Sequence, residues 1–71
     1  MSADNMIYVQ KRKGKLYVWM GFASDDRKPK PRGKFARWFF TREEAHAFAE
    51  GWYYGEGYTI EYGIIELPEK E

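Results

Sequence analysis

Tyr17 and Trp19 stand two residues apart beside Lys15, with Lys11, Arg12 and Lys13 just ahead of them and Arg32, Lys34 and Arg37 following. That mixture of residue types suits one kind of chemistry. Lysine and arginine neutralise phosphates and release counterions, while flat rings and guanidinium planes stack on unpaired bases. A sheet that carries such side chains can also enter the major groove and meet base edges. These nine residues are the candidate nucleic-acid-binding set. The same types also dominate protein interfaces, where Trp, Tyr and Arg supply most of the binding energy.

Catalytic chemistry lacks a comparable set. His46 is the only histidine, cysteine is absent, and Ser2 and Ser24 are the only serines. No nucleophile can be paired with a base, and the chain is expected to be non-enzymatic. Asp25 and Asp26 could hold a hard cation, but adjacent carboxylates inside a Lys/Arg-rich loop are read as local charge balance. Gly55-Glu56-Gly57 lacks the strand before and helix after that a phosphate loop requires, and its central residue is acidic. No metal or cofactor is expected.

The elements that must position the basic and aromatic residues follow from hydrophobic period and punctuation. Residues 6–11 and 16–23 are rich in β-branched and aromatic side chains and flank Arg12-Lys13-Gly14-Lys15, which reads as a β-hairpin. A two-residue Lys13-Gly14 turn pairs Arg12 with Lys15, Gln10 with Tyr17 and Tyr8 with Trp19 on one face; a four-residue turn is the alternative, because lysine is a poor choice where φ is positive. Ile7, Val9, Leu16, Val18, Met20 and Phe22 share the other face, the expected core.

Residues 24–34 combine turn formers with Pro29 and Pro31 and are expected to form an exposed, mobile loop. Residues 35–40 read as a third strand; if Trp38 and Phe40 point to the helix, Phe35, Arg37 and Phe39 join the open face. Thr41 followed by Glu44 fits a capping box, and Ala45, Phe48, Ala49 and Trp52 form one helical stripe after it. Gly55 or Gly57 should stop the helix. Residues 58–67 alternate as a fourth strand, and Pro68 ends it.

The expected fold is therefore α+β: a mostly antiparallel four-stranded sheet in the order β-β-β-α-β, with one helix packed on one face. At 71 residues the chain makes a single domain, residues 1–71, with short flexible termini at about 1–5 and 68–71. Disulfides and a cysteine-bearing zinc site are excluded, so three Trp, six Tyr and five Phe must supply the apolar area. No apolar run is long enough to cross a bilayer, which predicts no membrane partner and a cytoplasmic location.

A net charge of +1 conceals a strong polarity along the chain. Residues 5–42 hold eleven cations against Asp25 and Asp26, a net of +9, whereas residues 43–71 hold eight carboxylates against Lys70, a net of −7. Such asymmetry points to a partner of opposite sign.

From Gly14 to Ala49 the chain resembles the arm-type DNA-binding domains of phage tyrosine integrases, and plant ethylene-response DNA-binding domains share that plan. The resemblance rests on Gly14-Lys15-Leu16-Tyr17-Val18-Trp19 as a strand start and on Phe39-Phe40-Thr41-Arg42-Glu43-Glu44-Ala45 at the head of the helix. It implies a three-stranded antiparallel sheet backed by one helix, with the uncovered face docking in the major groove. Pro31-Arg32-Gly33 is also similar to the core of minor-groove AT hooks, although a solvated, proline-braced loop is the simpler reading.

The expected function is a small nucleic-acid-binding module, for DNA or RNA, that uses a basic, aromatic sheet face and basic loops. The alternative is a protein-interaction module: a homodimer, or a small phage-type or accessory regulator that occludes a protein partner. The sequence leaves open whether the second sheet face meets a ligand or is covered by the loop, the tail or another copy.

Overall fold

The computed structural model describes residues 4–33, 36–55 and 60–70. Strands β1 (Asn5–Arg12) and β2 (Lys15–Phe22) form the hairpin, β3 (Arg37–Phe39) follows the long loop, helix α1 spans Arg42–Tyr54, and β4 is Ile64–Glu66. The order across the sheet is β3-β2-β1-β4. β4 runs parallel to β1, so the sheet is mixed, with antiparallel pairing elsewhere. The parallel pairing follows from the connection: helix α1 crosses one face and returns the chain at the far edge.

The hairpin register is the two-residue one, pairing Arg12 with Lys15, Gln10 with Tyr17 and Tyr8 with Trp19. Lys13 and Gly14 take φ values of 50° and 82°, the left-handed pair that matches strand twist in a tight hairpin. Ile7, Val9, Leu16 and Val18 meet Ala45, Ala49 and Ile60 in the core, with Met20, Phe39, Phe48, Trp52 and Ile64 packed around it. Alanines at the contact let the helix approach the sheet, and each fully buried Ile or Val contributes about 1.5–3 kcal/mol.

Thr41 caps the helix: its hydroxyl accepts from the Glu44 amide at 3.2 Å and donates to the Glu44 carboxylate at 3.0 Å. At the other end Gly55 donates its amide to the Trp52 carbonyl, and a Cβ there would lie 2.5 Å from the Gly51 oxygen. Glycine is the residue that fits this close turn. Gly57 lies outside the described residues.

Strand three is shorter than residues 35–40 and its faces are reversed from the expectation. Leu16 pairs with Phe39, which turns Phe39 toward the helix, where its ring lies 5.4 Å from that of Phe48. Trp38, opposite Tyr17, joins the open face. Three consecutive aromatics carry no alternation, so only packing against Phe48 decides which one is core. Strand four is likewise shorter than residues 58–67. Gly63 has φ of 74° and breaks the alternation, leaving Ile60 buried before the strand begins, while residues 58 and 59 lie outside the described residues.

The second sheet face is covered in part by the loop, one of the outcomes that the sequence left open. Pro29 borders the same hollow as Tyr8 and Trp19, and Pro31 borders one with Tyr17, so the loop passes across this face. Trp19 is 2 % exposed beneath it. The loop expected to be free in solvent thus acts as a partial second layer. Leu67, expected to end the fourth strand, and residues 68–70, expected as part of a short flexible terminus, continue along β1. Leu67 donates to the Val9 carbonyl, Lys70 donates to the Lys11 carbonyl, and the Gln10 amide holds the Pro68 carbonyl at 2.8 Å. Asn5 and Gln10, the chain's only side-chain amides, are both buried and hydrogen-bonded.

Candidate nucleic-acid interface

The tight Lys13-Gly14 turn projects a basic tip, and strand pairing sorts its cations between faces. Arg12 and Lys15 are cross-strand partners on the open face, with Tyr17 the next residue on that side. Lys11 pairs with the core residue Leu16 and therefore lies on the helix side. Arg12 is oriented from below: its Nε donates to the Gln10 Oε1 at 2.9 Å, and Gln10 is itself tied to the tail.

Lys70 completes the group. A parallel bridge sets it beside Arg12, and Arg12, Lys13, Tyr17, Pro31 and Lys70 line one open hollow of about 490 Å³. Three cations, a phenol ring and a rigid proline thus share a concave surface. The sequence offered no sign of this, since Lys70 belongs to the acidic half and reaches the tip only because the tail runs parallel to β1.

Two charged clusters elsewhere are internally paired among the described residues. Arg27 makes a bidentate bridge to Asp25, at 2.9 and 2.8 Å, and this holds the Asp25 carboxyl at about 2. Glu66 takes Arg42 on one oxygen and His46 on the other, at 3.1 Å for His46. The Arg42 hydrogen bond, reinforced by His46, lowers the Glu66 pKa against a small opposing effect of burial. This three-residue bridge ties α1 to β4. Among the described residues, Arg12, Lys13, Lys15 and Lys70 enter no ion pair. Lys13 and Lys70 are exposed and Arg12 and Lys15 half-buried, and cations without an ion pair to a described residue are available to a polyanion.

The structure therefore brings Arg12, Lys13, Lys15 and Tyr17 together and separates the rest of the expected set. Arg32 lies in the covering loop, with its guanidinium donating to the Lys28 carbonyl at 3.4 Å. Arg37 pairs with Val18 and so belongs to the helix side, where it donates to the Ala36 carbonyl. That reverses its assignment to the open face. Trp19 is on the open face but is too deeply covered to meet a base unless the loop lifts. Lys34 lies outside the described residues.

Trp38 and Phe40, turned toward the helix in the facing that placed Arg37 on the open face, instead stand in solvent on the open face. Trp38 is 46 % and Phe40 72 % exposed, and their rings meet edge to face at 5.1 Å. The Lys15 ammonium lies 4.5 Å from the Trp38 ring centre, a cation–π contact. The pairing of Tyr17 with Trp38 was the missing signal, and it depends on the β2–β3 register.

Fold and surface together define a small α+β domain, with one helix on a four-stranded mixed sheet and a basic hairpin tip. The chain matches no protein-family model, no curated protein and no solved structure. Among the described residues no helix is long and apolar enough to cross a membrane.

Proposed function

We propose that this chain is a small, non-enzymatic nucleic-acid-binding module that grips a phosphate backbone at its hairpin tip. The observation that carries the reading is the gathering of Arg12, Lys13 and Lys70 around one hollow, with Lys15 beside it and none of the four in an ion pair with a described residue. The backbone of Lys13 supports it as well. A lysine at positive φ occupies a position that asparagine or glycine fills with less strain, and placing a charge at the tip is a functional reason to keep it.

The test is a titration of a fluorescently labelled oligonucleotide at several salt concentrations. Four phosphate contacts give a slope of log K against log salt of about −3 to −4. Absence of binding at low ionic strength, or an affinity indifferent to salt, sinks the proposal.

A protein-interaction reading draws on a different surface. Tyr53 and Tyr54 are exposed at the helix end and packed edge to face, away from the basic tip and within the acidic half. It predicts self-association or a protein complex weakened by Tyr54→Ala. Strictly monomeric sedimentation, with no complex formed by any purified candidate protein, would count against it.

A further inference from the structure

The basic hollow and the exposed ring pair are one continuous surface. Tyr17 lines the hollow and is also the cross-strand partner of Trp38, while Lys15 pairs with Arg12 and reaches over the Trp38 ring. A ligand that touches the cations is therefore carried onto Trp38 and Phe40. Beyond Tyr17, toward Trp19, the loop closes the face, so the sheet does not offer the broad open surface that docking in a major groove requires.

Exposed rings beside unpaired cations suit one form of nucleic acid. In a duplex both faces of each internal base are already stacked, so an aromatic platform gains little. In a single strand the base faces are free, and stacking on an aromatic ring is favourable with little regard to sequence. We infer that the ligand is an unpaired strand, with bases stacking on Trp38 and Phe40 and the adjoining phosphates held by Arg12, Lys13 and Lys70. The inference rests on the nucleic-acid reading above and specifies its substrate class. Charge complementarity selects a polyanion over an apolar protein segment as the occupant of this aromatic patch.

Fluorescence anisotropy with labelled oligo-dT, oligo-U and a DNA duplex of equal length tests it on the full chain and on the Trp38→Ala and Phe40→Ala variants. Both rings are exposed, and circular dichroism confirms that each variant is folded. The expected result is tighter binding of a single strand than of the duplex, with single-strand affinity falling about five- to a hundredfold in each variant. Duplex affinity should change by less than about twofold, because phosphate contacts remain. Tighter binding of either oligo-dT or oligo-U than of the duplex supports the inference. Salt-dependent binding that is equal for single strand and duplex and indifferent to both substitutions overturns it while leaving the phosphate-gripping reading intact. No binding of any nucleic acid overturns both. A concentration-dependent dimer of the ligand-free chain that Trp38→Ala abolishes assigns the rings to contact between copies and also overturns it.

Discussion

Lys70 lies beside Arg12 through a parallel bridge, its amide donating to the Lys11 carbonyl at 2.9 Å. The end of an acidic segment thereby adds a cation to the hairpin tip. Changing Lys70 to Gln should reduce nucleic-acid affinity and make the salt slope shallower by about 0.7–0.9, the loss of one phosphate contact. Lys11→Gln, on the helix side, is the comparison and should leave the slope close to that of the unmodified chain. Equal effects from the two would mean that the tip acts as diffuse charge rather than as a shaped surface.

Lys13→Asn should separate stability from binding. Asparagine accepts the left-handed conformation at the first turn position, so the hairpin should gain about 0.5–1 kcal/mol. The same substitution removes a tip charge and should weaken nucleic-acid binding. Urea denaturation and anisotropy on one protein sample give both numbers, and they should move in opposite directions.

Two glycines should respond to alanine with opposite signs. Gly51 lies inside the helix and faces open space, so Gly51→Ala should stabilise the domain by about 1 kcal/mol. For a domain of this size that raises the melting temperature by about 4–8 °C. At Gly21 a Cβ would lie 2.3 Å from the Tyr8 ring, which packs over that glycine and against Trp19 at 5.4 Å. Gly21→Ala should therefore destabilise by about 1–3 kcal/mol through overpacking. Thermal melts of the two variants decide both cases.

Asp25 carries a pH signature in the covering loop. Its carboxyl is lowered from 3.8 to about 2, first through the Arg27 side-chain hydrogen bond and then through the Arg27 amide. Because the folded value is depressed, the favourable effect of this bridge is fully present above the unfolded value near 3.8 and is lost as pH falls through about 2. A carbon-detected NMR titration of the Asp25 carboxyl should show a midpoint near 2, and Arg27→Gln should move it back toward 3.8. A midpoint near 3.8 in the unmodified chain would mean that the Asp25–Arg27 bridge is not formed in solution.

Local rules carried the hairpin, the cap and the helix. Alternation in β1 and β2 specified their core face for Ile7, Val9, Leu16, Val18 and Met20 but not for Phe22, which is exposed at the strand end, and Lys13-Gly14 fitted the register even though lysine is unfavourable at positive φ. Thr41 and Glu44 marked the helix start because capping is a contact between residues three apart. Local rules failed at Trp38-Phe39-Phe40, where three rings in sequence show no period and distant Phe48 makes the choice. They failed also for Lys70, whose place depends on hydrogen bonds between the tail and the distant strand β1, from the Leu67 amide to Val9 and from its own amide to Lys11.

The sequence by itself determined an α+β fold, the hairpin with its basic tip, a capped helix and the separation of positive from negative charge along the chain. Each of these rests on interactions between near neighbours or on composition. Only the tertiary structure decided that β4 runs parallel to β1, that the proline-bearing loop covers Trp19, and that Trp38 and Phe40 rather than Trp19 and Arg37 are the exposed groups beside the cations. Those outcomes depend on which surfaces meet across the fold. Burial of one face of β3 against the helix necessarily turns its alternate residues outward.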